Sequence, residues 1–328
     1  MNVTITGGTG FIGSRLANAC VARGDRVTVL GQTNTPAESE NTARLMNTGL
    51  RMVPGSVTDP AVVAEALTGA EVLFHLAATQ HEMNVPDERF RDVNVGGTRL
   101  VLEHAARLGV RRVVHGSTIG VYGALQGTID EETPPAPDNI YGVTKLEGER
   151  LALAHPAPPS VVAIRIPEVY GPGDRRLLKL FRAIERNVFF TIGSGRNLHH
   201  PIFVDDLVRG FLLAAEAPQA AGQLVLFAGP SAVSTNEMVS AIARALGRTG
   251  TRFHVPLLPF WYAAAAMELS LRPLGIQPPL HRRRMDFFRK SFALRSLRAR
   301  GAVGFEPRTE FAEGARITAE WYRTQGLL

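Results

Sequence analysis

The sequence has little cysteine, no long apolar run and no leader-like start. Its single cysteine, Cys20, excludes an internal disulfide framework and a cysteine metal cluster, and we interpret it as a buried thiol. The longest nearly unbroken apolar stretch, residues 257–267, is too short to cross a bilayer. The first residues do not have the charged and apolar regions of a signal peptide. We therefore predict no transmembrane segment, a cytoplasmic location and no metal site.

Lysine is also scarce, so arginine carries almost all of the basic excess. The chain has three lysines and a formal net charge of +6, and the basic residues are densest over 272–300, around 281–284 and 289–290. A solvated face is the commonest explanation of such a run, and contact with an anionic substrate or a membrane surface stays open. Because no nucleic-acid reader motif accompanies the charge, we predict no nucleic-acid partner.

Short β-rich runs alternate with amphipathic helical stretches over residues 1–166. This alternation predicts right-handed βαβ units and therefore an α/β fold with a Rossmann-type, doubly wound parallel sheet. The predicted strands cover 3–6, 26–30, 51–53, 71–76, 111–115 and 161–166. The predicted helices cover 11–23, 61–67 (opened by Asp59 and Pro60), 88–108 and 141–154.

After residue 166 the pattern becomes irregular. We expect a strand at 202–204, a helix over 205–216 capped by Asp205, and a strand near 224–227 that can return to the main sheet. We assign 1–168 and 201–229 to a dinucleotide-binding domain. Residues 169–200 and 230–328 are assigned to a discontinuous, mostly helical substrate lobe over the carboxyl edge of the sheet, where open α/β sheets bind ligands.

A glycine-rich turn, Gly7-Gly-Thr-Gly10-Phe-Ile-Gly13, follows the first predicted strand and precedes the first predicted helix. Such a turn lets the backbone approach a pyrophosphate, and the helix N-terminus supplies N–H groups. Gly13 permits close packing of helix on strand. The motif predicts a dinucleotide cofactor.

A tyrosine and a lysine lie one helical turn apart in Tyr141-Gly-Val-Thr-Lys145, so both side chains share a helix face. A neighbouring ammonium favours the phenolate, which makes the tyrosine an effective acid/base for a reacting oxygen. Ser117 and Thr118 follow a predicted strand, so their hydroxyls are expected at the carboxyl edge, where Thr118 can hydrogen-bond a substrate oxygen. We predict Thr118, Tyr141 and Lys145 as catalytic residues.

With these motifs, the sequence resembles the extended short-chain dehydrogenase/reductase family, which includes nucleotide-sugar epimerases and 3β-hydroxysteroid-type dehydrogenases. His75-Leu-Ala-Ala78, Val93-Asn-Val-Gly-Gly-Thr98, Val169-Tyr-Gly-Pro-Gly-Asp174 and Phe203-Val-Asp-Asp-Leu207 also look like family segments. The resemblance implies a homodimer formed through the helices near 88–108 and 141–154. With the motifs, it implies cofactor contacts at Gly7, Gly10, Phe11, Ile12, Gly13, Gln32, Leu76, Ala77, Ala78, Asn94, Ser117, Tyr141 and Lys145. It implies substrate contacts at Ser117, Thr118 and His199.

Two positions depart from the family pattern. NAD users usually place an acid after the second strand, but Leu30-Gly31-Gln32-Thr33 has neither an acid nor an arginine, so NAD and NADP both stay open. His199 stands where many nucleotide-sugar epimerases have a diphosphate-binding arginine. The apolar, aromatic stretch at 256–266 suits a bulky substrate, although Trp261 and Tyr262 can equally be core residues.

These features favour an NAD(P)-dependent oxidoreductase that moves a hydride to or from a secondary alcohol or ketone of a bulky small molecule. One alternative is a nucleotide-sugar epimerase or dehydratase that retains its cofactor. A non-catalytic dinucleotide-binding protein is a further alternative, but it would not need Thr118, Tyr141 and Lys145.

Overall fold

The computed structural model describes residues 1–80, 85–124, 126–249, 253–271 and 282–328. Its strands follow one another along the chain as β1 (Asn2–Thr6), β2 (Arg26–Gly31), β3 (Arg51–Pro54), β4 (Val72–His75), β5 (Arg112–Thr118), β6 (Gly127–Ile129), β7 (Ser160–Ile166), β8 (Val169–Tyr170), β9 (Thr191–Ile192), β10 (Leu198–His199), β11 (Ile202–Phe203), β12 (Leu224–Leu226), β13 (Val233–Ser234), β14 (His254–Val255) and β15 (Phe292–Leu294).

A seven-stranded sheet forms the centre, with the order β12-β7-β5-β4-β1-β2-β3. All of its pairings are parallel. Strand β4 is buried along its whole length, as expected for a sheet covered on both faces. The predicted doubly wound α/β fold is confirmed, and the stretch near 224–227 does return to the main sheet beside β7.

Helices cover both faces of the sheet and build the lobe. They are α1 (Phe11–Ala22), α2 (Pro36–Met46), α3 (Pro60–Leu67), α4 (Asp87–Arg91), α5 (Thr98–Arg107), α6 (Ile140–Leu153), α7 (Leu178–Glu185), α8 (Val204–Glu216), α9 (Thr235–Ala245), α10 (Leu257–Leu271), α11 (Arg282–Arg289) and α12 (Phe311–Thr324). A π-helical segment, Asp92–Gly97, joins α4 to α5, and a 3₁₀ turn, Ile119–Tyr122, follows β5. No helix of the described residues is long and apolar enough to span a membrane.

Two local predictions need correction. The predicted helix over 88–108 is interrupted by the π segment, whose last residue, Gly97, packs so closely on Val57 that a Cβ there would be 2.7 Å from Val57 Cγ2. Asp205 does not cap α8, whose N-cap is Phe203 without a side-chain cap. Asp205 instead lies within the first turn, where its negative charge suits the helix N-terminus, and it pairs with Arg15 on α1.

The lobe has an apolar cluster of its own, separate from the clusters on the two faces of the sheet. Phe181 of α7, Ile242 of α9 and Tyr322 of α12 are fully buried in it. Phe203, however, belongs to the same cluster although the sequence-based division assigns it to the nucleotide domain. The proposed domain boundaries stay a prediction, with an interface that both parts share.

Candidate active site

The glycine turn between β1 and α1 leaves no room for a side chain at Gly7 or at Gly13. A Cβ on Gly7, which has φ +68°, would lie 2.7 Å from the backbone nitrogen of Ala77. A Cβ on Gly13 would lie 2.3 Å from the carbonyl oxygen of Gly7. Gly10 is the N-cap of α1 and has no side chain, so no capping side chain accepts hydrogen bonds from the first N–H groups of the helix. This bare backbone cradle fits the pyrophosphate of a dinucleotide.

The loop after β4 forms the second side of the cradle. The nitrogen of Leu76 donates to the carbonyl of Thr6 at 3.1 Å, and that of Ala77 lies 3.3 Å from the Thr6 hydroxyl. Leu76, Ala77 and Ala78 are partly exposed, as are Phe11 and Ile12. The structure therefore brings the turn and this loop together, and the cofactor contacts that the resemblance implies for both stay a prediction.

Asn94 fixes that loop to the catalytic helix. Its side-chain oxygen accepts from the nitrogen of Thr79 at 2.9 Å, and its amide group donates to the Thr79 carbonyl and to the Thr144 hydroxyl. Asn94 is 1% exposed. Its observed contacts are thus with protein groups, and the contact with the cofactor that the resemblance implies stays a prediction.

Tyr141 and Lys145 lie on α6, which starts at the N-cap Asn139 and packs closely against the turn after β5. A Cβ on Gly142 would be 2.6 Å from the carbonyl oxygen of Gly120. Lys145 is 3% exposed, and its Nζ donates to the carbonyl of Gly116 at 2.5 Å. Burial lowers the pKa of Lys145 to about 8.

Thr118 and Tyr141 converge on the two sides of Gly120. A Cβ built on Gly120 would be 3.4 Å from Thr118 Oγ1 and 3.5 Å from Tyr141 Cε1. Thr118 is partly exposed and caps the 3₁₀ turn by accepting the nitrogen of Gly120 at 3.0 Å. The structure therefore places the three predicted catalytic side chains at one edge of β5.

Ser117 lies on the other side of β5 from Thr118, because side chains alternate along a strand. It is 2% exposed, and its hydroxyl donates to the Glu149 carboxylate at 2.6 Å. Its predicted contacts with cofactor and substrate therefore compete with a buried hydrogen bond and stay a prediction.

His199 is buried, and it contacts the carboxylate of Glu168. The ring is 1% exposed, its Nε2 lies 3.1 Å from the Thr235 hydroxyl, and its Nδ1 lies 3.3 Å from Glu168. Phe287 stacks on the ring with centroids 4.5 Å apart. The observed partners of His199 are thus protein groups, and Glu168, which is 44% exposed, is the side chain that faces outward.

Glu168 lines a cavity of about 150 Å³ together with Tyr170, Asp174, Arg176, Leu177, Met238 and Phe287. Desolvation alone would raise the pKa of Glu168, but the contact with His199 and the charges of Arg176 and Lys290 hold it below its ordinary value. Arg176 is already bound to Asp174 at 3.1 Å. The cavity therefore joins apolar walls to an ionised carboxylate.

Three further features singled out from the sequence are Gln32, the basic run and the apolar stretch with Trp261 and Tyr262. Gln32 follows β2 and accepts a hydrogen bond from Asn34 at 3.1 Å. Within the basic run, residues 272–281 lie outside the described residues, whereas Arg289 stacks over Trp261 at 4.5 Å. Trp261 is partly buried, and Tyr262 is 69% exposed. Among the residues that the structure describes, no three His, Cys, Asp or Glu side chains converge as metal ligands.

Three buried or half-buried charged residues of the site were not anticipated from the sequence: Glu149, Arg165 and Glu168. Glu149 repeats the four-residue spacing of Tyr141 and Lys145, and this is a signal that the sequence offers. Arg165 and Glu168 have no such local signal, because their partners come from other strands and helices.

Known proteins resemble the chain over most of its length. A model of the NAD dependent epimerase/dehydratase family matches residues 3–226. A dTDP-glucose 4,6-dehydratase of Streptomyces niveus is 29% identical over 98% of this chain and 93% of its own. A 4-hydroxy-2-methyl-3-oxo-4-farnesyl-3,4-dihydroquinoline-1-oxide ketoreductase of Stigmatella aurantiaca is 29% identical over 96% of this chain and 94% of its own.

A solved structure, MoeE5 in complex with UDP-glucose and NAD, has a TM-score of 0.77 and 28% identity, and the match covers 99% of each chain. Similar proteins therefore include a dTDP-glucose dehydratase, a protein that binds UDP-glucose and NAD, and a ketoreductase of a farnesyl-substituted dihydroquinoline-1-oxide.

Proposed function

The chain belongs to the NAD dependent epimerase/dehydratase family, and we propose that it is an oxidoreductase acting on a secondary alcohol or ketone of a bulky, uncharged molecule. The observation that carries the proposal is that Thr118 and Tyr141 both lie close to Gly120 while Lys145, one turn along the same helix, contacts Gly116 of β5. NAD or NADP, when bound, supplies the hydride acceptor or donor. Gln32 places neither a charge that repels a 2′-phosphate nor one that binds it, so the choice between the two stays open.

The acid/base step follows from the side chains. Tyr141 donates a proton to the substrate oxygen during reduction and takes one during oxidation. The buried ammonium of Lys145 favours the phenolate form of its neighbour on the helix. Thr118 hydrogen-bonds the same oxygen and orients it. The partly exposed setting of Thr118 leaves this edge open to a ligand.

The wall of the lobe supports an uncharged, apolar substrate. Leu177, Met238 and Phe287 supply apolar surface to the cavity, and Glu168 supplies negative charge. A diphosphate would meet the Glu168 carboxylate, and the nearby guanidinium of Arg176 is already bound to Asp174. In this proposal His199 holds the Glu168 carboxylate in place, and Glu168 is the side chain that faces the substrate.

A nucleotide-sugar epimerase or dehydratase is the second candidate, favoured by the likeness to MoeE5 and to the dTDP-glucose dehydratase. It would use the same Tyr141 and Lys145 and would keep its cofactor through the cycle. A protein that only binds the dinucleotide is disfavoured, since it has no use for the buried lysine beside Tyr141.

Two expectations about location and oligomeric state accompany the proposal. We place the protein in the cytoplasm as a homodimer whose interface uses the outer faces of α5 and α6. Sedimentation equilibrium tests the dimer, and a strictly monomeric protein at micromolar concentration contradicts it.

The test of the function compares Tyr141→Phe with Tyr262→Phe, the same chemical change at a 69% exposed tyrosine. Wild-type protein and both variants are assayed with NAD and NADP against apolar secondary alcohols and ketones and against UDP- and dTDP-sugars. We expect Tyr141→Phe to lose about 10²–10⁴-fold in kcat, the usual worth of a positioned acid/base group, with cofactor affinity retained. Tyr262→Phe should match the wild type.

Wild-type turnover by Tyr141→Phe rules out the assigned acid/base. Conversion of nucleotide sugars alone, with cofactor retained through purification, makes the second candidate correct.

A further inference from the structure

A buried polar network lies directly behind the catalytic helix. Glu149 is two turns after Tyr141 and one turn after Lys145, so the three side chains follow one face of α6. Its carboxylate accepts from Ser117 Oγ at 2.6 Å and from Arg165 Nε and Nη2 at 2.9 and 2.6 Å. The Glu149 and Arg165 side chains are both 3% exposed. The network therefore joins α6 to β5 and to β7.

The same network reaches the turn that carries Thr118. Arg165 Nη1 donates to the hydroxyl of Tyr122 at 2.6 Å, and that hydroxyl donates to the carbonyl of Asp130 at 2.7 Å. The guanidinium also lies 4.7 Å from the centre of the Tyr122 ring. Tyr122 ends the 3₁₀ turn whose N-cap is Thr118. Every element that supplies a catalytic side chain is thus tied to one buried ion pair.

We propose that Glu149, held by Arg165 and Ser117, is a positioning residue that fixes the rotation and depth of α6 and so sets Tyr141 and Lys145 against Thr118. The effect of Glu149 on catalysis rests on the proposed function. Its effect on the position and charge environment of Lys145 does not, because that effect can be measured without turnover. An ion pair that is so fully buried adds little net stability over apolar packing, and a role in fixing geometry accounts for it.

The pKa of Lys145 depends on the network, because Glu149 is one of the charges that act on it. Burial lowers the pKa of Lys145 to about 8, and the negative charge of Glu149 opposes that fall. Buried imidazoles on β4 and β5 also face the lysine, and burial keeps their pKa values low, so they are neutral at pH 7. The titratable groups that interact with Lys145 are Glu149 on α6, His75 on β4 and His115 on β5, and Arg165 on β7 is the partner of Glu149.

The test replaces Glu149 by its neutral isostere and follows Lys145 directly. The chain has three lysines, so ¹³C-labelled lysine gives three side-chain signals, and the one absent from Lys145→Arg is that of Lys145. Glu149→Gln leaves Arg165 buried without its counter-charge and can fail to fold. The double variant Glu149→Gln with Arg165→Met removes both charges and keeps the volume filled. Glu147→Gln, on the same helix but in a surface pair with Arg91, is the matched control.

In whichever of the two Glu149 variants is folded, we expect Lys145 to titrate at lower pH than in the wild type. The kcat for the ketone should fall on the order of tenfold, with the same displacement of its pH profile and little change in KM for the cofactor. Glu147→Gln should leave all three quantities unchanged. If the wild type has no ketone activity but the Lys145 titration still moves, the proposed function fails, whereas the dependence of Lys145 on the buried Glu149–Arg165 pair stands. A folded double variant with the wild-type Lys145 titration and wild-type kcat overturns the positioning role.

Discussion

The glycines at the start of α1 differ in how much space surrounds them. A Cβ on Gly13 would be 2.3 Å from the carbonyl oxygen of Gly7, a distance that no side chain tolerates, whereas a Cβ on Gly10 would be 3.3 Å from the same atom. Gly13→Ala must therefore move the turn. We expect it to lower the free energy of unfolding by roughly 1–3 kcal/mol and to weaken cofactor binding.

Gly10→Ala should cost less than Gly13→Ala, because its neighbour has to move by only a few tenths of an ångström. Gly301→Ala, with nothing within 4 Å of the added methyl group, is the control for stability. Urea unfolding and calorimetric titration with NAD measure the two effects. Equal stability and equal affinity for Gly13→Ala and Gly10→Ala would show that the cradle is not formed by close packing of the helix on the turn.

At the residue scale, the sequence predicts whatever depends on local spacing. The glycine turn and the Tyr141–Lys145 pair are recognisable because the residues involved lie within a few positions of one another. The partners of Glu149 are not, since Ser117 and Arg165 lie 32 and 16 residues away. Burial of His199 likewise depends on Thr235 and Phe287, which only the folded lobe brings near.

At the scale of elements, two neighbouring aspartates of α8 have opposite roles. Asp206 is 4% exposed, and its Oδ2 accepts the backbone nitrogens of Arg308 and Thr309 at 2.9 and 2.7 Å, which ties the segment before α12 to α8. Asp205, whose side chain is 53% exposed, pairs with Arg15 at the surface. We expect Asp206→Asn to destabilise the protein by about 1–3 kcal/mol at pH 7. Asp205→Asn should cost about 0.5 kcal/mol or less.

The penalty for Asp206→Asn should depend on pH. Desolvation would raise the pKa of Asp206, but the two backbone donors and Arg209 hold it below its ordinary value. A lowered folded-state pKa gives stability that is present above the unfolded pKa and is lost as pH falls through the folded pKa. The gap between wild type and Asp206→Asn in urea unfolding should therefore narrow towards low pH. A gap that is constant from pH 7 to pH 3 would contradict this role of the carboxylate.

A helix was predictable from the sequence where a capping residue precedes a stretch of apolar residues at helical spacing. Asp59 and Pro60 do open α3, with the Asp59 side chain accepting from the nitrogen of Ala61. Helix α2 was not anticipated, although Thr35 and Glu38 form a capping box there, because the segment is mostly polar and offers Leu45 as its buried residue. The π segment between α4 and α5 was not anticipated from the sequence, in which 88–108 reads as one continuous helix.

At the scale of the whole molecule, the C-terminal segment ties the lobe to the sheet. Strand β15 pairs with β6, and Phe305 enters the main core with its ring centroid 4.4 Å from that of Phe227. The Glu131 carboxylate accepts the backbone nitrogens of Leu226 on β12 and of Leu297 and Arg298. These contacts cross the boundary that the sequence places near residue 230, so the lobe and the sheet should lose their structure together.

Unfolding should therefore be a single cooperative transition. Both tryptophans, Trp261 and Trp321, lie in lobe helices, so their fluorescence follows the lobe, whereas far-ultraviolet circular dichroism follows the entire chain. We expect the two probes to give the same midpoint in urea, which is the test of two-state behaviour.

Glu131→Ala should lower both midpoints together, because it leaves buried N–H groups of the sheet and of the C-terminal segment without an acceptor. Glu132→Ala, which removes only an exposed pair with Arg298, should leave them unchanged. A fluorescence transition that precedes the dichroism transition in the wild type would mean that the lobe unfolds independently of the sheet.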